Sequence, residues 1–164
     1  MIALKKVLVA TDFSEAADAA LSYGRALART FGATLHVLHV VDDMYLRFGG
    51  DAYEAVLPDL QHDVEAQARE RLAELLVDND PTPLPTKPVV ITAGATAQAI
   101  VDYAAKADMD LIVVGTHGRG AVAHLLVGSI AERVVRTARC PVLTVRHPER
   151  DFVTPDLPVA SARA

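Results

Sequence analysis

The chain has 164 residues, 51% of them hydrophobic, a formal net charge of −5 and a single cysteine. That is enough apolar material for one domain with a full core, and it excludes an intrinsically disordered chain. The negative balance gives no electrostatic reason to bind nucleic acid or an anionic membrane, and Cys140 alone permits neither an internal disulfide nor a multi-cysteine metal site.

Val7-Leu8-Val9-Ala10 is a continuous apolar run and reads as a strand buried on both faces. It stops at Thr11-Asp12-Phe13-Ser14, where Ser14 is placed to cap a helix and Glu15 and Asp18 suit its positive end. Ala17, Ala20, Leu21, Gly24, Leu27, Ala28 and Phe31 recur at helical spacing, and Gly32 is the expected stop. Leu35 to Val41 reads as a second strand. Residues 42–59 read as an irregular loop with room for a short helical turn. A second helix is expected from about Leu60 to Val77, with Val64, Ala68, Leu72, Leu75 and Leu76 on one side. Residues 78–88 hold four prolines and read as an extended connection. Val89–Thr92 is the third predicted strand, followed by a helix over about Ala97–Ala107 with Thr96 as its cap. Leu111–Val114 is the fourth strand, Ser129–Ala138 the last helix and Pro141–Val145 the fifth strand. One domain over residues 1–147 is expected, with a mobile tail over 148–164.

Apolar strands alternating with helices imply a parallel sheet covered on both faces, and right-handed crossovers make it a doubly wound, Rossmann-like α/β sandwich. Ligands of such sheets sit beyond the carboxyl ends of the strands, where the strand order reverses. Two loops fit that place: the one after strand 1, carrying Asp12, and the one after strand 4, beginning at Gly115.

The second loop carries the chemistry. Gly115, Gly118 and Gly120 follow a strand, and Gly128-Ser129 opens a helix. Glycines let a phosphate approach the backbone, and the free N–H groups of a helix start attract anions. Each residue also has a structural reading. Ser129 with Glu132 forms a capping-box pattern, and the glycines suit turns that need positive φ. Asp12 either caps the first helix through an Asx turn, or accepts from a ribose or holds a cation beside a phosphate. His117 and Arg119 lie in the glycine loop within reach of a ligand. Arg133, Arg136 and Arg139 suit the helix end. His36 and His39 share a strand three residues apart, so they point to opposite faces and cannot readily share a metal. Cys140 reads as a small packed residue rather than a reactive thiol.

There is no P-loop, no Gly-x-Gly-x-x-Gly after strand 1 and no Gly-x-Ser-x-Gly elbow. No general base stands out near the loop. The site looks equipped to hold a phosphate and poorly equipped to transfer one. No run approaches the roughly 20 apolar residues of a membrane span, and Met1 to Lys6 open no secretory signal, so a cytoplasmic location is expected.

The pattern Gly-x2-Gly-x9-Gly-Ser, met by Gly115, Gly118, Gly128 and Ser129, resembles the nucleotide-binding branch of the universal stress proteins. The segments Val7–Glu15, Asp110–Gly118 and Cys140–Leu143 are similar to the same family, and the resemblance covers roughly residues 3–146. It implies five parallel strands in the order 3-2-1-4-5. Adenine would lie by Ala10, Thr11 and Val40 or Val41, and ribose near Asp12 and Gly115. Phosphates would meet Gly118, Arg119, Gly128, Ser129 and Ile130. It further implies ATP, ADP or AMP as ligand, Mg²⁺ or Mn²⁺ arriving with the nucleotide and touching Asp12, and a homodimer through Val142–Val145. The function implied is a nucleotide-dependent regulator of the stress response. The alternatives are a slow metal-assisted ATPase and an interaction module that binds no nucleotide.

Overall fold

In the computed structural model, residues 1–48, 56–77, 83–116 and 128–146 are described. The elements are β1 (Lys6–Ala10), α1 (Glu15–Phe31), β2 (Thr34–Asp42), α2 (Met44–Phe48), α3 (Leu57–Leu75), β3 (Thr86–Ala93), α4 (Thr96–Lys106), β4 (Leu111–Gly115), α5 (Ser129–Thr137) and β5 (Val142–Val145). The strands form one sheet in the order β3-β2-β1-β4-β5, with every neighbouring pair parallel. This is the doubly wound architecture expected from the alternating pattern.

The apolar runs split their side chains between two cores. Val7, Val9, Leu35, Val37 and Val113 meet Ala20, Leu21 and Ala28 of α1 and Leu72 of α3 on one face. Leu8, Leu38, Ile112 and Val114 meet Ile100, Val101 and Ala104 of α4 and Ala131 and Val134 of α5 on the other. Burial on both faces is why these strands carry no polar alternation. Each buried valine, leucine or isoleucine contributes about 1.5–3 kcal/mol on leaving water.

Helix α1 begins and ends where the sequence places it. The Ser14 hydroxyl accepts from the Ala17 N–H at 3.3 Å, and Gly32 closes the helix at φ 64°, ψ 32°. Two other expected caps are displaced by one residue. Thr96 and Ser129 are the first residues of their helices, while Ala95 and Gly128 are the caps, and neither helix has a side-chain cap hydrogen bond. The carbonyls decide this: Ala95 accepts from Ala99 N–H and Gly128 from Glu132 N–H, so the helical ladder already starts one residue earlier. Glu132 reaches Arg136 instead of closing a capping box.

Two boundaries move outward. Helix α3 starts at Leu57, with Pro58 in its first turn, where a missing N–H costs nothing. Strand β3 starts at Thr86 and contains Pro88, inside the stretch expected to be a connection. Leu35 N–H donates to the Pro85 carbonyl, so the odd-numbered residues of β3 turn their backbone groups toward β2. Pro88 therefore faces the open edge, where no donor is needed. The short turn expected within 42–59 is α2. The expected tail over 148–164 lies outside the described residues.

Candidate functional site

Sheet register sets the end of β1 between β2 and β4. Ala10 lies opposite Leu38 of β2 on one side and Val114 of β4 on the other. Beyond Ala10 the chain makes a fully engaged turn. Thr11 is buried; its N–H donates to the Leu38 carbonyl at 2.9 Å and its Oγ1 accepts from Phe13 N–H at 3.0 Å. Asp12 Oδ1 accepts from the N–H and the hydroxyl of Ser14, at 3.1 and 2.5 Å. The local Asx reading of Asp12 thus holds for this oxygen, and it fixes the carboxylate against the start of α1.

Gly115 ends β4 without a positive φ. A Cβ there would stand 2.7 Å from the Ala16 carbonyl oxygen and 2.8 Å from its carbon. The glycine is needed because the first turn of α1 packs against it, not because a turn bends there. Thr116, buried, follows it. Its N–H donates to Val145 of β5 at 2.8 Å, and its carbonyl accepts from Gly128 N–H at 2.5 Å. Two helix starts therefore converge beyond the end of β4: α1 through Ala16 on Gly115, and α5 through Gly128 on Thr116.

The Gly128 amide is committed to Thr116, so the row of amides without an intrahelical acceptor begins at Ser129 and continues at Ile130. Both residues are exposed. Gly128 itself has φ −63° and ψ 147°, which any residue can adopt. Its backbone shape gives no reason for a glycine. Ala10 and Val40 pack on the α4 side of the sheet, whereas Val41 is buried, 2% exposed. Only one of the two valines therefore presents a side chain on the face that carries Ala10. His117, Gly118 and Arg119 lie outside the described residues.

His36 and His39 diverge as their spacing requires. His36 is buried beside Tyr103 of α4, with its Nδ1 2.8 Å from the hydroxyl. Burial, and then the charges of Lys87 and Lys6, lower its pKa. His39 lies on the other face, its ring 4.4 Å from that of Phe13. Burial pushes the Cys140 thiol up, away from reactivity. Among the described residues there is no group of three His, Cys, Asp or Glu side chains able to hold a metal. An open groove of about 930 Å³ runs between β3 and α4, lined by Val89, Ile91, Ala99 and Leu46 among others, and contains none of the candidate residues. Sequence reasoning missed Thr116, whose importance comes only from the β5 and α5 backbone groups it joins. No described helix is long and apolar enough to cross a membrane.

The pattern of the universal stress protein family matches residues 3–146. A universal stress protein of Thermus aquaticus is 34% identical over 142 residues, covering 87% of this chain and 98% of its own. Among solved structures, universal stress protein UspA from Lactobacillus plantarum superposes with a TM-score of 0.73 at 30% identity, covering 89% of this chain and 100% of its own. Protein MJ0577 of Methanocaldococcus jannaschii gives 0.78 at 25% identity, covering 91% and 100%. The fold is also that of a universal stress protein in complex with cAMP (TM-score 0.58, 21% identity, 88% and 98% covered). It is shared by one from Archaeoglobus fulgidus in complex with dAMP (0.53, 22%, 88% and 99%).

Proposed function

The chain belongs to the universal stress protein family, and from that premise we propose that it is an adenine-nucleotide-binding regulatory protein with ATP as its ligand. The observation that carries this reading is the convergence of two helix starts beyond β4. One of them opens with the exposed Ser129 and Ile130, whose amides lack intrahelical acceptors. Such amides, at the positive end of the helix dipole, attract phosphate. The glycine before them is unexplained by its dihedral angles and is what close approach of a phosphate asks for. Ribose lies at Asp12 and Gly115, and adenine over Ala10, Thr11 and Val40 or the Val41 backbone. His117, Gly118 and Arg119 complete the phosphate loop. Solved relatives in complex with cAMP and dAMP support the ligand class.

Mg²⁺ or Mn²⁺ fits this donor set only as a companion of the nucleotide. Asp12 offers one carboxylate, and the phosphates would have to supply the other anionic oxygens, as is usual for Mg²⁺. The regulatory unit is a cytoplasmic homodimer joined along β5. The test is direct. Protein purified from the cell, denatured and analysed by mass spectrometry, should release AMP, ADP or ATP near one per chain, or its melting temperature should rise with ATP and Mg²⁺. No nucleotide released and no thermal shift would refute the reading.

A further inference from the structure

Phe13 has φ 62°, a left-handed conformation that bulky L-residues avoid and keep only where their surroundings over-determine it. Asp108 is the other non-glycine residue of this kind among those described, but Asp tolerates the region well and Phe does not. Three elements hold Phe13. Its N–H donates to Thr11 Oγ1 within the turn. Its ring meets the His39 imidazole of β2 at 4.4 Å and 40°. The Arg71 guanidinium of α3 stands 4.5 Å over the ring centroid, within cation–π range. His39 is itself oriented: its Nδ1 lies 2.8 Å from the Thr11 carbonyl, which has no proton, so the imidazole is the donor. The turn between β1 and α1 is thus clamped from β2 and from α3.

We propose that the Arg71–Phe13–His39 stack is the positioning element of the ligand site. It fixes Thr11 and Asp12 in the geometry that receives the nucleotide and makes ligand affinity depend on α3. This rests on the nucleotide reading above. The ring does the holding: removing it lets the turn leave its strained conformation, and Asp12 then has to be ordered at the moment of binding. The segment that contributes Arg71 thereby acquires a role in the site without touching the ligand.

Three variants test this. Phe13→Leu keeps apolar bulk but removes the ring, Phe13→Tyr keeps the ring, and Arg71→Ala removes the exposed cation. By calorimetry, Phe13→Leu should weaken ATP binding about tenfold and Arg71→Ala about threefold, while Phe13→Tyr binds as the parent does. The Phe13→Leu/Arg71→Ala double variant should be no weaker than Phe13→Leu alone, because both changes break one stack. Hydrogen exchange at the Phe13 and Ser14 amides should quicken in Phe13→Leu. Parent-like ATP affinity in a folded Phe13→Leu protein, or fully additive losses, would overturn the proposal. If Phe13→Leu does not fold, Arg71→Ala, at an exposed position on α3, decides alone: parent-like affinity refutes the stack. If the parent protein binds no ATP, the nucleotide reading falls. Exchange then decides the clamp, with unchanged protection of those two amides in Phe13→Leu refuting it.

Discussion

Two glycines of one motif stand in different surroundings, and they respond differently to a side chain. Gly115 is pressed against the Ala16 carbonyl, so Gly115→Ala forces α1 away from β4. We expect a loss of about 1–3 kcal/mol, read as a lower melting temperature whether or not nucleotide is present. Gly128 sits at dihedrals that valine also adopts, so Gly128→Val should fold, with a melting temperature lowered by no more than the cost of valine at an N-cap, about 1 kcal/mol. Its Cβ and methyls would occupy the space of a phosphate, and ATP affinity should fall at least about tenfold. Unchanged ATP affinity in the folded variant would remove Gly128 from the site. Ser129 makes no capping bond, so Ser129→Ala should leave stability alone and weaken only the ligand.

At the scale of elements, α3 is tied to the edge of the sheet by one carboxylate. Glu65 Oε1 accepts from the Thr92 hydroxyl at 2.6 Å, and its Oε2 pairs with Arg69 at 2.7 Å. The Thr92 hydrogen bond first, and the Arg69 partner second, hold its pKa below the ordinary 4.5, against the opposing effect of burial. A carboxylate depressed in the folded state stabilises above its unfolded pKa and loses that contribution as pH falls through the folded value. The melting temperature of Glu65→Gln should therefore lie below that of the parent at neutral pH, with the gap closing in acid below about pH 4.5. A gap independent of pH would show that the charged form is not what Thr92 and Arg69 hold. Gln61, buried beside this group, accepts from the Met44 N–H on its Oε1, so the same cluster also anchors α2.

At the scale of the whole molecule, the two edges of the sheet differ. On β3 an outward position is Pro88, which offers no N–H and blunts the edge against pairing. On β5, Ile112 N–H donates to Pro141 and Thr116 N–H to Val145, so Val142 and Thr144 turn their backbone groups outward. That open edge is the natural seat of the proposed dimer. Thr144→Pro removes one outward donor at an exposed position without breaking the β4 ladder. Sedimentation equilibrium should find a dimer for the parent and the 17.5 kDa monomer for this variant. A parent that sediments as a monomer, or a variant that stays dimeric, would place the interface elsewhere or nowhere.

The sequence by itself determined the sheet, its doubly wound topology and the Ser14 and Gly32 ends of α1. Those follow from local chemistry: continuous apolar runs, helical periodicity, and residues whose capping or left-handed preference is intrinsic. Boundaries that depend on a neighbour were not legible. Pro88 enters a strand only because that strand is an edge, and Ser129 and Thr96 lose their capping places because the preceding carbonyls already start the ladder. The purpose of Gly115 is the arrival of Ala16, and the holding of Phe13 is the arrival of Arg71 and His39. Tertiary structure alone decided these, because each is a contact between segments far apart in the chain, and no local pattern records which distant atom will stand against a given Cα.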